Sequence, residues 1–183
     1  NITDKVLISA NSETRGIILK SFNSANIDHY NFKNKNDDSN KFMLDEIYLG
    51  SKLAERLNVE IGSQIKLYTS SSINSPFGQL PKSHLINVGG YFDTGMSEYD
   101  GNYAFLNLEE MQKIYGVNNR VSAIEIHLKD SSFTDRINNQ VNEIIKEKEL
   151  FYSRDWKQVN AFFFETLSIE RNVMFIILSL III

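Results

Sequence analysis

The sequence predicts an α+β fold, and two kinds of pattern support this prediction. Short segments with the alternating polarity of strands are interspersed with segments whose apolar residues recur at helical spacing. The chain has 183 residues, of which 42% are hydrophobic and 23% are charged, and this is the composition of a globular protein. The length is sufficient for one domain with a sizeable core or for two small domains.

The strand prediction rests on alternation and on the polar segments that separate the apolar ones. A turn at Asn11 and Ser12 separates the first two strands, and residues 23–41, rich in Asn, Asp and Lys, are expected to form a mobile loop. A polar loop is expected at residues 69–83. Gly89 and Gly90 lie inside a strand pattern, which indicates a bulge or a close backbone approach. The predicted strands are residues 5–10, 15–22, 47–49, 64–68, 84–92, 102–106, 121–128 and 150–153.

Four helices are predicted, each beginning after a side chain that can accept a hydrogen bond from the first helical turn. Gly116 is expected to end the second helix, and Phe133, Ile137 and Ile144 belong to the apolar stripe of the third. No Gly or Pro occurs from position 156 onward, so one unbroken helix is expected there. The predicted capping residues are Ser51, Asn107, Asp130 or Ser131, and Asp155.

The C-terminal segment 173–183 has the sequence VMFIILSLIII, in which Ser179 is the only polar residue. Eleven residues are fewer than the roughly 20 that a membrane span needs, so we interpret the segment as the first part of a transmembrane helix. A buried core helix is the alternative. An aromatic residue and an arginine preceding such a run suit a membrane surface. The predicted membrane-junction residues are Trp156, Asn160, Phe163, Glu170 and Arg171.

Several function classes are disfavoured by composition. The net charge is −4, and no basic stripe is visible, so nucleic acid is not an expected partner. There is no cysteine, which removes disulfides and thiolate chemistry. His29, His84 and His127 are far apart in sequence, and no Walker or nucleophile-elbow motif is present. The chain is therefore expected to be non-catalytic, without metal or cofactor, and to be the extramembrane part of a larger membrane protein.

The segment 75–82, with the sequence SPFGQLPK, is the most informative motif. It holds both prolines of the chain, which stiffen it and are expected to keep it out of a sheet ladder. Since it lies between two predicted strands, it should project as a long hairpin tip. Phe77 and Leu80 are apolar where loops usually meet water, which indicates a docking element. The alternative is that Phe77 packs onto its own domain.

Five separated motifs resemble the periplasmic region of LolC/LolE-type permease subunits of the lipoprotein-releasing ABC transporter, within the FtsX/MacB-like superfamily. Lys82 and Ser75 stand where the family often has Arg and Thr, and Lys cannot make the two-pronged contact of Arg. Ser63 replaces a common Asp. The motifs are LGSKLA at 49–54, SPFGQLPK at 75–82, GMSEYD at 95–100, Asp155-Trp156 with Asn160, and ERNVMF at 170–175.

The resemblance implies a two-lobed periplasmic domain, part of an inner-membrane permease subunit that passes lipoproteins to a LolA-like periplasmic chaperone. The expected partners are that chaperone, lipoprotein substrates, membrane lipid, a second permease subunit and a cytoplasmic ATPase. A proline-bounded hairpin, the hook, docks the chaperone in the LolC type. The hook residues implied here are Pro76, Phe77, Gly78, Gln79, Leu80, Pro81 and Lys82.

The same resemblance implies four segments. Residues 1–43 begin a porter-like lobe, residues 44–116 form a second lobe with the hook hairpin at 73–84, residues 117–155 complete the porter-like lobe as a βαβ unit, and residues 156–183 connect it to the membrane. Two other functions remain open. One is a related mechanotransmission permease for efflux or for control of cell-wall hydrolases, and the other is a membrane-anchored structural domain.

Overall fold

A computed structural model describes residues 1–22, 32–34, 45–75, 78–148 and 150–182. These residues form two compact units, Asn1–Glu125 and Ile126–Ile183. The first unit holds seven strands and three helices: β1 Thr3–Ala10, β2 Glu13–Phe22, β3 Phe32–Asn34, β4 Glu46–Gly50, α1 Ser51–Leu57, β5 Gln64–Ser75, β6 Gly78–Phe92, α2 Ser97–Asn102, β7 Tyr103–Asn107 and α3 Leu108–Tyr115. The second unit holds a 3₁₀ turn at Ser131–Phe133, α4 Thr134–Ile145, α5 Trp156–Val159 and α6 Ala161–Ile182.

The sheet of the first unit closes on itself. Its strand order is β3-β6-β4-β7-β2-β1-β5, and β5 also pairs with β6. The β2–β7 and β4–β6 pairs are parallel, and the remaining pairs are antiparallel. Closure leaves no free edge among the six strands in the ring, and it makes β6, the longest strand, the partner of three others.

Alternating side chains of the closed sheet form the main core. In β1, Val6 and Ile8 are buried while the intervening Leu7 is 50% exposed, as the period of a strand requires. Leu67 of β5 and Val88 of β6 are fully buried in the same cluster. A second, aromatic cluster consists of Phe22, Tyr48, Phe92 and Phe105 with Tyr99 and Tyr103 packed against it.

Most strand predictions for the first unit are confirmed. The first two strands pair in an eight-residue register around Asn11 and Ser12, both of which have positive φ. The predicted bulge is also confirmed, because the β4–β6 register skips Gly89 and a Cβ there would overlap the Glu46 side chain. The predicted loop at 23–41 lies outside the described residues except for β3.

In the first unit, the predicted ends of α3 are confirmed, whereas the predicted cap of α1 is not. Asn107 accepts a hydrogen bond from the Glu109 amide, and Gly116 ends α3 in the left-handed conformation with φ of 65°, so both predictions are confirmed. The prediction of Ser51 as a cap is wrong, because Gly50 occupies the cap position and no side chain caps that helix. A Cβ at Gly50 would overlap the Asp100 carbonyl, so α1 and α2 approach too closely there for a capping side chain.

The predicted strand at 121–128 is wrong, since these residues belong to no strand of the structure. Asn1 and Ala123 exchange both backbone hydrogen bonds, as one antiparallel pair does. No further residue of the described chain extends this pairing into a ladder, and Ile124 is 82% exposed. Strand periodicity in a sequence cannot form a strand without a neighbouring strand to accept its hydrogen bonds.

The second unit contains the predicted helices but not the second predicted strand. Asp130 accepts from the Ser132 amide at the start of the 3₁₀ turn, and Asp155 accepts from the Gln158 amide, so both predicted caps are confirmed. Residues 150–153 form no strand, so the βαβ unit is represented in the described residues by its helix alone. In the described part of this unit, no partner strand lies beside them.

The predicted unbroken C-terminal helix is wrong. Asn160 has φ −107° and ψ 29°, and this residue separates α5 from α6. Its side-chain amide donates to the Trp156 carbonyl at 2.7 Å, a local bond by which asparagine competes with the helical ladder. Within the described residues, no helix combines the length and the hydropathy required to cross a membrane.

The predicted division into four segments stays a prediction. In the structure, the strands of residues 3–22 and those of residues 46–107 share one sheet.

The closed core predicts that replacing two leucines on adjacent strands will lower the free energy of unfolding by very different amounts. Leu67→Ala should lower the free energy of unfolding by about 2–5 kcal/mol, because it empties a fully buried position. Leu85→Ala is the control and should change it by less than about 0.5 kcal/mol, since Leu85 is 63% exposed. Urea unfolding of the full chain measures both, and equal losses would contradict this description of the core.

Candidate functional site: the β5–β6 hairpin

The β5–β6 hairpin carries the sequence-predicted hook, and it has two parts. In the proximal part, Gln64–Tyr68 pairs with Ser83–Asn87, and β5 also pairs with β1. In the distal part, Ser72–Ser75 pairs with Gly78–Pro81. No other described strand pairs with these eight residues, which we call the distal ribbon. The hairpin therefore continues past the closed sheet as two strands only.

The two parts meet at an irregular joint, residues 69–71 of β5. Between the pairs Tyr68↔Ser83 and Ser72↔Pro81, β5 advances by four residues and β6 by two, so β5 contains two extra residues. The β1–β5 pairing also ends at Tyr68. The joint forms no ladder pair with β1 or β6 in the described structure. Such bulges bend a strand and change its direction.

Side chains replace the missing ladder at the joint. The Ser70 hydroxyl donates to Asp4 Oδ2 at 2.8 Å, and the Tyr115 hydroxyl donates to the same oxygen at 2.6 Å. Burial, followed by the hydrogen bond to Asp4 and the charge of that carboxylate, raises the pKa of Tyr115 far above its ordinary value, so its hydroxyl stays protonated. Thr69 is buried, and its hydroxyl lies 3.5 Å from the Lys82 carbonyl.

An open, mostly apolar cleft of about 440 Å³ lies on the outer face of the sheet at the root of the ribbon. Leu7 lies at its centre, since the register places it opposite Gly16 on β2 and Tyr68 on β5. Because Gly16 has no side chain, Leu7 is left half exposed. Lys5, Ile18, Ser70 and Pro81 are also part of the wall.

The predicted hook residues are placed as follows. Pro76 and Phe77 lie outside the described residues. Gly78 is exposed with φ of 114°, which an L side chain rarely adopts, and it pairs with Ser75 at the end of the ribbon. Gln79 and Leu80 pair with Asn74 and Ile73, Pro81 pairs with Ser72 and is exposed, and Lys82 is half-buried.

Two sequence predictions for this segment are therefore corrected. The expected loop at 69–83 consists largely of strand residues, because the ladder resumes beyond the joint. The expectation that proline excludes the segment from a ladder is wrong for Pro81. A proline without an N–H is tolerated where its strand has no second neighbour, and the distal ribbon is such a place.

Sequence patterns did not indicate Asp4, Ser70 or Tyr115. Ser70 and Tyr115 lie 66 and 111 residues away from Asp4 in the sequence, so only the tertiary fold brings them together. His84 was noted only as an isolated histidine. It lies near the root of the hairpin, and burial, reinforced by Lys82 and opposed by Glu110, lowers its pKa. Among the described residues, no group of His, Asp and Glu could hold a metal ion.

The predicted membrane-junction residues belong to the second unit. Trp156 is the first residue of α5, and Asn160 separates the two helices. Phe163, Glu170 and Arg171 lie on α6 and are exposed. Trp156 packs edge-on against Phe164 at 5.2 Å between ring centroids, so part of this aromatic group is internal to the helix pair.

No family model matches the chain. Three curated relatives are each named lipoprotein-releasing system transmembrane protein LolC. That of Neisseria meningitidis is 30% identical over 139 residues, 75% of this chain and 33% of the relative. That of Xylella fastidiosa (strain Temecula1) is 31% identical over 136 residues, 74% and 32% of the two chains. That of Haemophilus influenzae is 27% identical over 140 residues, which are 75% of this chain and 34% of the relative.

One solved structure shares the fold. It is the extracellular domain of the noncanonical ABC-type transporter YknZ from Gram-positive bacteria, with a TM-score of 0.52 and 14% identity over 84% of this chain and 78% of that chain. Identity this low supports the fold alone. The chain spans about one third of the length of the curated relatives it matches. By sequence, the chain is similar to the LolC-type transmembrane proteins of lipoprotein-releasing systems over about three quarters of its own length.

Proposed function

We propose that this chain is the periplasmic domain of an ABC transporter permease that extracts lipoproteins from the inner membrane, and that its β5–β6 hairpin docks a periplasmic chaperone. The observation that carries the docking proposal is the distal ribbon, a two-stranded extension of an otherwise closed sheet. The names of the three relatives support the lipoprotein-releasing class. The similarity covers most of this chain, but the activity belongs to the whole transporter.

The ribbon suits a docking role because neither of its strands pairs with a third described strand. A two-stranded hairpin alone is marginally stable in water, so a free ribbon of this kind gains by being covered. The exposed Pro81, whose ring fixes φ, stiffens the end of β6. A stiff element loses little conformational entropy on binding, which favours affinity. The apolar cleft at its root offers the partner a second contact area.

The chain itself is proposed to be a non-catalytic permease part. ATP hydrolysis is assigned to a separate cytoplasmic ATPase, and a second permease subunit completes the membrane part. Homodimer and heterodimer arrangements both fit this assignment. A related mechanotransmission permease is the second candidate, because the YknZ extracellular domain shares this fold.

The hook proposal predicts that substitutions in the hook weaken chaperone binding without unfolding the domain. Pro81→Ala or Phe77→Ala should weaken binding of the LolA-like chaperone roughly 5- to 30-fold, the effect of losing one central contact residue. The fold should persist, because Pro81 is exposed and lies outside the closed sheet. Isothermal titration of the purified full chain with the chaperone measures the affinity.

Leu85→Ala is the matched control for Pro81→Ala. Leu85 is an exposed apolar residue of the same strand, outside the distal ribbon. Unchanged affinity in a replacement of residues 75–82 would contradict the docking role. Equal losses from Leu85→Ala and Pro81→Ala would locate the chaperone on the sheet face instead.

We further propose that the C-terminal part of α6 contacts lipid and that residues 156–171 form the membrane junction. Side chains from Val173 to Leu178 are apolar and exposed all around the helix. An exposed surface of that kind without a polar stripe is unusual for a soluble helix. The break at Asn160 limits the rigid connecting element to α6, so motion of the membrane end would be transmitted from residue 161 rather than from residue 156.

The membrane proposal predicts that one truncation abolishes liposome binding but leaves the stability of the fold nearly unchanged. A chain ending at Arg171 should lose flotation with liposomes of inner-membrane lipid composition, because the apolar surface is gone. Its free energy of unfolding should change little, since the removed side chains that the structure describes are exposed or half-buried. A matched variant that keeps residues 172–183 but carries Phe175→Ser and Ile176→Ser should also float poorly. Unfolding of the truncated chain would show that the segment belongs to a core.

A further inference from the structure

We infer that Asp4 is a positioning residue for the hairpin: its carboxylate holds the joint through Ser70 and thereby sets the direction in which the distal ribbon leaves the closed sheet. The inference deepens the proposed docking function and rests on it only for the binding arm of its test. The geometric arm stands independently of any partner.

The strand that carries Asp4 and the helix that carries Tyr115 are both firmly held. Asp4 lies in β1, which pairs with β2 over eight residues. Tyr115 is the last residue of α3, a helix capped by Asn107 at one end and by Gly116 at the other. Asp4 Oδ2 accepts hydrogen bonds from the Ser70 and Tyr115 hydroxyls. One oxygen thus links the sheet, a fixed helix and the hairpin.

The joint, in contrast, lacks the restraint of a ladder. Continuing the β1–β5 register would place Ser70 opposite Lys5, but the pairing ends at Tyr68↔Leu7. The β5–β6 register shifts across the same residues. Among the described residues, the side-chain bonds at the joint are the contact of Ser70 with Asp4 and the longer contact of Thr69 with the Lys82 carbonyl. The bond to the carboxylate is the shorter of the two, and a charged acceptor makes it the stronger.

The backbone amide of Lys5 helps to keep the Asp4 carboxylate in one orientation. Asp4 Oδ1 accepts from the Lys5 amide at 2.9 Å, so the carboxylate plane is fixed by its own strand. The Tyr115 hydroxyl donates to the same carboxylate, and burial raises the pKa of Tyr115 well above its ordinary value, so this donor keeps its proton. Ser70 therefore meets an acceptor that is already aligned.

Distance measurement tests the inference directly. The chain has no cysteine, so spin labels at Gln79→Cys on the ribbon and Glu55→Cys on α1 report the ribbon direction by electron–electron double resonance. Ser70→Ala and Asp4→Ala should each broaden the distance distribution, and the double variant should broaden it no further than Asp4→Ala alone. Ser9→Ala is the control. It removes a different serine hydroxyl of the same sheet, which accepts a hydrogen bond from the Thr14 hydroxyl, and should leave the distribution narrow.

A merely stabilising role gives a different result. In that case Asp4→Ala would lower the unfolding temperature while the distribution, recorded well below that temperature, stayed as narrow as in the unmodified chain, and the inference would be wrong. Tyr115→Phe, which keeps the ring, should broaden the distribution less than Asp4→Ala. An unchanged distribution in both Ser70→Ala and Asp4→Ala would overturn the inference.

The binding arm separates this inference from the docking proposal. If the variants hold the ribbon in its competent direction for roughly one tenth of the time, the apparent Kd for the LolA-like chaperone rises roughly tenfold. Broadening together with weaker binding supports both claims. Broadening with no chaperone binding by the unmodified chain supports the role of Asp4 and overturns the docking proposal. Weaker binding with an unchanged distribution overturns the role of Asp4.

Discussion

The pairing of β5 with β6 is the interaction on which the rest of the first unit depends. It closes the sheet, so that residues such as Leu67 and Val88 face an interior without a free strand edge. It also commits β6 to three neighbours in succession, first β5, then β4 and finally β3. The strand needs its length for this, and the part of the hairpin that exceeds the ring becomes the distal ribbon. Core formation and projection of the candidate site are therefore two consequences of one ladder.

The local parts of this fold could be predicted from sequence, because their causes are local. Alternation placed β1 and β2, the Asn107 and Gly116 pair bounded α3, and Asp155 marked the start of α5. The errors have tertiary or competing causes. Residues 121–128 have strand periodicity but form no strand in the described chain, and Asn160 interrupts a helix in which no Gly or Pro warned of a break.

The candidate site shows the same division. The two prolines lie in or next to the distal ribbon, but Pro81 proved compatible with a ladder that has no second neighbour. The link from Ser70 through Asp4 to Tyr115 could not be predicted, since no spacing in the sequence relates residues so far apart. Functionally, a rigid root and a thin, stiff end suit an element that must enter a partner while its own domain stays folded. The similarity to LolC-type proteins gives that shape its proposed biological role.

Site-specific photo-crosslinking in the full-length protein tests the central claim, that the distal ribbon docks the chaperone. A photoreactive residue at Gln79 should crosslink to the LolA-like chaperone in cells, whereas the same residue at Glu55, exposed on α1, should not. A crosslink to the chaperone from Glu55 with none from Gln79 would contradict the account, and so would the absence of any chaperone crosslink from positions 78 to 82.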